Sequence, residues 1–248
     1  MVDPARGSAS LPGGFLPSAA PRPIDATVAA AVFLGAWLVA QLVASAIVVA
    51  LHGSDRSVDP SFAITAAGLV GAWTTYLVAM WIASDRAGSR SFVADYGFWF
   101  RWVDVLGLGV GVLGNLVLIR VVYLPLEAVW PDTFNDDRLN ENARELVDRA
   151  SGSSTLLLIA FVVVGAPIME ELFYRGLLQR SLASRFNEGA VLVAVALVFA
   201  VFHFRPIEIP GLFAIGLVFG FAALRTGRLG TAIMIHAGFN ATGLLQAL

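Results

Sequence analysis

The chain has 248 residues, 58% of them hydrophobic and 14% charged, with a mean hydropathy of +0.78. Soluble domains are about 45–50% apolar and about 25% charged, so this composition excludes a soluble globular domain and a disordered chain. Sixteen basic residues, every one arginine, against 18 acidic ones give a net charge of −2, which leaves no basic patch for nucleic acid. With no cysteine, disulfides, cysteine-ligated zinc, iron–sulfur centres and thiol nucleophiles are excluded as well. Residues 1–25 are rich in Pro, Gly, Ser and Ala and read as a disordered tail. Uncharged apolar runs follow at 26–51 and 62–83, each long enough for a bilayer, which takes about 20 residues. A third run spans 103–129, with Asp104 near its start and Arg120 and Glu127 near its end. Four shorter runs follow at about 155–175, 190–204, 210–224 and 231–248. The expectation is an all-α, polytopic transmembrane bundle of about seven spans. The count rises to eight if the third run splits or the helix of the 140s is included. It forms a single membrane domain over 26–248.

Two connecting loops carry their own signals. Residues 84–102 hold Arg86, Arg90 and Arg101 beside Tyr96, Phe98, Trp99, Phe100 and Trp102, a composition suited to the headgroup level of a membrane. The acidic loop 131–154 contains a stretch, 140–150, with Leu139, Ala143, Leu146 and Val147 on one side, which predicts a short surface helix. Arginine is more frequent in the tail and in alternate loops, so the positive-inside rule puts the N-terminus in the cytoplasm. The expected location is a multi-pass position in the cell membrane.

Charge inside a span costs about 2.5–3.5 kcal/mol per residue on insertion scales, so the polar residues within the apolar runs are the informative ones. Three groups stand out, all in the C-terminal half. The first is Glu170, Glu171 and Arg175, continuing an apolar helix one turn after Pro167. Glu171 and Arg175 are four apart with the acid first, the favourable order for a helical ion pair. Glu170 has Tyr174 at that spacing and so keeps its carboxylate free to face a cavity. Pro167 removes a backbone hydrogen bond and predicts a break in the helix there. The second group is Phe199 and His203. The third is His236 and Asn240, again four apart on one face. Taken singly, each has a plain structural reading: a Glu–Arg pair locks helices, and a lone histidine in a span is a packing residue. Taken together, one unpaired Glu, two His and an Asn supply the base, partner and carbonyl-polarising donors of a hydrolytic site. Glycine pairs at Gly107/Gly111 and Gly216/Gly220 read as helix-packing faces.

The order Glu-Glu-x-x-x-Arg, Phe-x-x-x-His and His-x-x-x-Asn on successive membrane helices resembles the CAAX protease and bacteriocin-processing (CPBP, or Abi) intramembrane protease family. The resemblance covers about residues 155–245 and implies an endopeptidase that cuts a membrane-associated protein or peptide within the bilayer. By position it implies that Glu170 and His203 activate water, that His236 and Asn240 stabilise the oxyanion, and that Glu171, Arg175 and Phe199 support them. Glu170, His203 and His236 are also a possible zinc set; the reading favours no metal and no other cofactor. No His-Glu-x-x-His occurs, nor the Gly-x-Ser-Gly or Gly-x-Gly-Asp signatures of other intramembrane proteases. Two competing readings stay open. One is a non-catalytic scaffold or bacteriocin-immunity protein of the same fold. The other is a transporter that uses intramembrane Glu and His as a proton relay.

Overall fold

A computed structural model describes residues 23–53, 60–150 and 154–247. The expected tail falls largely outside these residues. Nine helices, and no strand, occur among the described residues. Helix α1 is Ala26–His52 and α2 is Phe62–Ala87. The Asp25 carboxylate accepts hydrogen bonds from the Thr27 and Val28 amides, at 2.9 and 3.3 Å, and so caps α1. Those backbone amides hold the Asp25 carboxyl below its ordinary range. A short α3, Phe92–Tyr96, lies in the arginine- and aromatic-rich loop. Helix α4 is Trp102–Val129, α5 is Asp136–Arg149, α6 is Ser154–Ala183 and α7 is Glu188–Val201. The chain then continues through α8, Ile209–Thr226, and α9, Gly230–Ala247.

Five of these helices, α1, α2, α4, α6 and α8, are long and apolar enough to cross a membrane. Of the other two expected spans, α7 is apolar but has only 14 residues. Helix α9 has the length, but His236, Asn240 and Gln246 interrupt its apolar sequence. The third apolar run does not split: α4 is continuous from Trp102 to Val129, with a wide π-type turn at Gly114–Leu118. The predicted surface helix starts at Asp136, earlier than the apolar pattern placed it, because the Asn135 side chain caps it by accepting from the Arg138 amide at 3.0 Å. It buries none of its residues fully and is highly charged, so it adds no span.

Large apolar side chains of α1, α2 and α4 point outward, among them Leu38, Leu42, Trp81, Leu106 and Leu113. Surrounded by lipid, such a surface needs no protein partner. The second half of α6 is the opposite case. Every residue from Glu171 to Ser181 is buried, which makes this segment the axis of the bundle, with α1, α3, α7 and α8 packed around it. The aromatic loop is divided likewise. Trp99, Phe100 and Trp102 are exposed, as an interfacial segment requires. Tyr96 is buried instead, and its hydroxyl donates to the Met80 carbonyl at 2.6 Å.

Two small-residue faces set the closest helix contacts. A Cβ on Gly111 would collide with the Ile235 carbonyl and would lie 2.6 Å from the Phe239 amide, and one on Gly238 would collide with the Leu108 carbonyl. Helices α4 and α9 therefore touch backbone to backbone, and the Gly107/Gly111 face packs as the spacing predicted. Gly111→Val should destabilise the protein by about 1–3 kcal/mol, the usual cost of overpacking. Gly109→Ala, with open space around its Cβ, should leave stability unchanged. Thermal unfolding of the two variants in detergent separates these outcomes.

Candidate active site

The site is built around α6. Its helix does not run as a uniform α-helix: Ala160–Gly165 and Glu171–Gln179 form wide π-type turns on either side of a short α segment, Ala166–Glu170. Such turns are rare and often mark functional positions. The break predicted at Pro167 takes this form: the widened turn comes just before the proline. Glu170 and Glu171 follow, and they point into different surroundings.

Glu171 and Arg175 are both completely buried, with Arg175 Nη1 donating to Glu171 Oε1 at 3.0 Å. Two buried charges require more than each other. Arg175 Nη2 also donates to the Gly216 carbonyl on α8 at 3.0 Å. Its guanidinium lies 4.5 Å from the Phe199 ring centre and 5.3 Å from that of Phe219, close enough for cation–π attraction. Glu171 Oε1 also accepts from His236 Nδ1 at 3.0 Å. That bond fixes the ring orientation and leaves Nε2 turned toward Glu170. The imidazole stacks on Phe219, with ring centres 4.5 Å apart and planes within 17°.

Glu170 is different. Its side chain is 27% exposed, and its Oε2 lies 3.8 Å from His236 Nε2 and 4.0 Å from His203 Nε2. Glu170 Oε2 is buried and has no hydrogen-bond partner among the described residues. The two imidazoles thus converge on one free carboxylate oxygen. His203 lies just past the end of α7 at Val201 rather than within the helix. Its Nδ1 donates to the Phe199 carbonyl at 2.7 Å. This caps an open carbonyl at the helix end and aims Nε2 at Glu170. Phe204 takes a left-handed φ of 55° directly afterwards, a conformation that turns the chain away from the helix axis.

Six of the residues singled out from sequence, Glu170, Glu171, Arg175, Phe199, His203 and His236, thus form one connected cluster. Asn240 reaches elsewhere: its Nδ2 donates to the Val162 carbonyl on α6 at 2.9 Å. That bond occupies one amide hydrogen and leaves the other free. Among the described residues, no group of three or more His, Asp or Glu side chains is arranged to hold a metal ion. Tetrahedral zinc ligands at about 2.05 Å from the metal lie about 3.3 Å apart. The Glu170–His203 and Glu170–His236 separations are wider than that.

Several contributors were not anticipated. Phe219 supports His236, and the Gly216 and Gly220 carbonyls accept from Arg175 and Gln179, at 3.0 and 2.9 Å. The signal was present as two matching four-residue spacings, Arg175/Gln179 on α6 and Gly216/Gly220 on α8. A second buried cluster lies away from the site. Asp104 accepts from Arg228 through both carboxylate oxygens, from Thr231 at 2.6 Å and from the Arg101 amide at 2.7 Å. It ties the start of α4 to the start of α9.

The fold and the cluster define a helical integral membrane protein with one structural and one free carboxylate at the centre of its C-terminal bundle. Residues 152–242 match the family described as Rce1-like, Type II CAAX prenyl endopeptidase Rce1-like, so this segment is similar to that family. The match contains all three motifs and leaves the first 151 residues outside it. No curated protein and no solved structure matches the chain.

The two adjacent glutamates should separate by experiment. Glu171→Ala leaves Arg175 buried without its carboxylate, a change that typically costs about 3–5 kcal/mol; folded yield and melting temperature should both fall. Glu170→Gln should leave both near wild type, because no partner is lost. Equal melting temperatures for the two variants would contradict the division of roles.

Proposed function

We propose that the chain is an intramembrane endopeptidase of the CAAX-processing kind, acting on a membrane-associated protein or peptide. The observation that carries this reading is the unpartnered Glu170 oxygen between two imidazole nitrogens, a place suited to a water molecule. Glu170, with His203 beside it, removes a proton from that water as its oxygen attacks the scissile carbonyl. The carbonyl becomes an oxyanion. Hydrogen-bond donors at the site, the second amide hydrogen of Asn240 and Nε2 of a His236 that carries both protons, stabilise it. Collapse breaks the C–N bond, and the proton held by Glu170 passes to the departing amine. No Ser or Cys nucleophile is required, and we propose water activation without a metal.

Substrate access has support of its own. A cavity of about 520 Å³ opens between α4, α5, α8 and α9. Its lining combines apolar Leu116, Ile119, Leu212 and Phe239 with charged Arg120 and Glu208. Glu208 lies close enough to His203 to interact electrostatically. Burial pushes its carboxyl above the ordinary range, against the opposing pull of Arg205 and His203. An amphiphilic chain held in this cavity would lie beside Glu208, the lining residue that interacts with His203.

Cleavage of a quenched-fluorescent prenylated CAAX peptide in liposomes tests the reading. Glu170→Ala and His203→Ala should each lower kcat by about 10²–10⁴, the usual contribution of general-base catalysis, while inserting normally. His236→Ala should also abolish turnover, and Asn240→Ala should cost less. Wild-type turnover by Glu170→Ala would overturn the mechanism. Comparing membrane peptides from cells with wild type and with Glu170→Ala then identifies natural substrates. Activity should survive a strong zinc chelator. Loss on chelation with recovery on adding zinc would replace the metal-free mechanism with a zinc one.

A further inference from the structure

We infer that Asn240 is a positioning residue for Glu170 and that Pro167 creates the vacancy it fills. This rests on the proposed role of Glu170 as the base. The wide turn of α6 closes with the Ala166 amide donating to the Phe161 carbonyl, five residues back. Continued by one residue, that register would send an N–H at position 167 to the Val162 carbonyl. Residue 167 is proline and has no N–H. The Val162 carbonyl therefore loses its helical donor, and this is the carbonyl to which Asn240 donates at 2.9 Å, across 78 residues of sequence. Backbone carbonyls away from water are almost always paired, and inside lipid no solvent can take the place of a missing donor.

The bond does more than fill a vacancy. Glu170 follows Pro167 by three residues, on the first turn after the interruption. His236 precedes Asn240 by one turn on α9. The 3.8 Å separation between Glu170 Oε2 and His236 Nε2 thus has one end on each of the two helices that the Asn240–Val162 bond clamps. Without the clamp, α6 can shift at the widened turn, and Glu170 moves relative to both imidazoles. The clamp uses one amide hydrogen of Asn240, so it is separable from any contact that the other hydrogen makes with an oxyanion.

Pro167 makes the idea testable by a double-mutant cycle. Asn240→Ala is made in the wild type and in Pro167→Ala, which restores an N–H able to serve the Val162 carbonyl. Asn240→Leu, close in size and without a donor, is run beside it. Melting temperature in detergent and turnover of the prenylated CAAX peptide are both read. In the wild-type background Asn240→Ala should lower the melting temperature by about 3 °C and lower kcat with KM unchanged. In the Pro167→Ala background the melting shift should vanish and the kcat loss should shrink about tenfold. Equal melting shifts in the two backgrounds would overturn the clamp. Coupling in melting temperature but none in kcat would make the bond structural alone and overturn the positioning role. A wild type that cleaves no peptide would sink the protease reading, and the melting arm would still decide the clamp.

Discussion

The buried pair of Glu171 and Arg175 is the constraint on which the C-terminal bundle depends. Two full charges with no exposed side-chain surface are expensive in a low-dielectric interior, and their mutual attraction alone does not offset that expense. What makes the pair tolerable is the set of groups around it: the Gly216 carbonyl on α8, the rings of Phe199 on α7 and Phe219 on α8, and His236 on α9. Each partner sits on a different stretch of chain from α6. A helix that slid or rotated would leave a charge uncovered. The pair therefore acts less as a source of stability than as a condition that one arrangement of four helices meets and neighbouring arrangements do not.

That condition also reaches Glu170. Successive residues of a helix point roughly 100° apart, so a side chain adjacent to Glu171 is held by the same backbone yet faces a different space. Glu171 accepts from Arg175 and His236 through Oε1; Glu170, the residue before it in the chain, has imidazole nitrogens near its buried Oε2 and no hydrogen bond to that oxygen. Glu171 orients one of those imidazoles through Nδ1, and the α7 terminus orients the other through the Phe199 carbonyl. Both rings are thus fixed from behind by groups on the far side from Glu170, which leaves its Oε2 free of a hydrogen-bond partner among the described residues.

How much of this was legible in the sequence follows from the range of each signal. The Glu171–Arg175 pair was readable because a four-residue spacing on one helix is local. The Gly107/Gly111 face was readable for the same reason. The helical membrane class needed only composition and run length. The Asp104–Arg228 pair was not legible, because its partners lie 124 residues apart and no periodicity connects them. Tyr96 looked interfacial beside Trp99 and Trp102, yet it is buried by packing between α2 and α6 that its own loop does not encode. Asn240 was legible as a polar residue on the His236 face. Its partner was hidden, because a carbonyl becomes available only once a π-register turn meets a proline, and hydropathy carries no record of helical register.

The division between outer and inner helices explains why so apolar a chain can hold so polar a centre. Helices α1, α2 and α4 bury smaller shares of their most apolar stretches than α6 and α8 do, so they present the lipid with much of its contact surface. Inner helices are relieved of that requirement. Helix α9 carries His236, Asn240 and Gln246, and α7 stops short enough for His203 to sit at its end. Both departures from a long, uniformly apolar helix are the features that bring imidazoles to Glu170. A fully apolar α9 would cross a bilayer more readily, but it would remove the His236 donor from Glu171 and leave the Val162 carbonyl without its Asn240 donor. The shortness of α7 and the polar residues of α9 therefore go with the cluster they form, and the outer helices are what make it affordable.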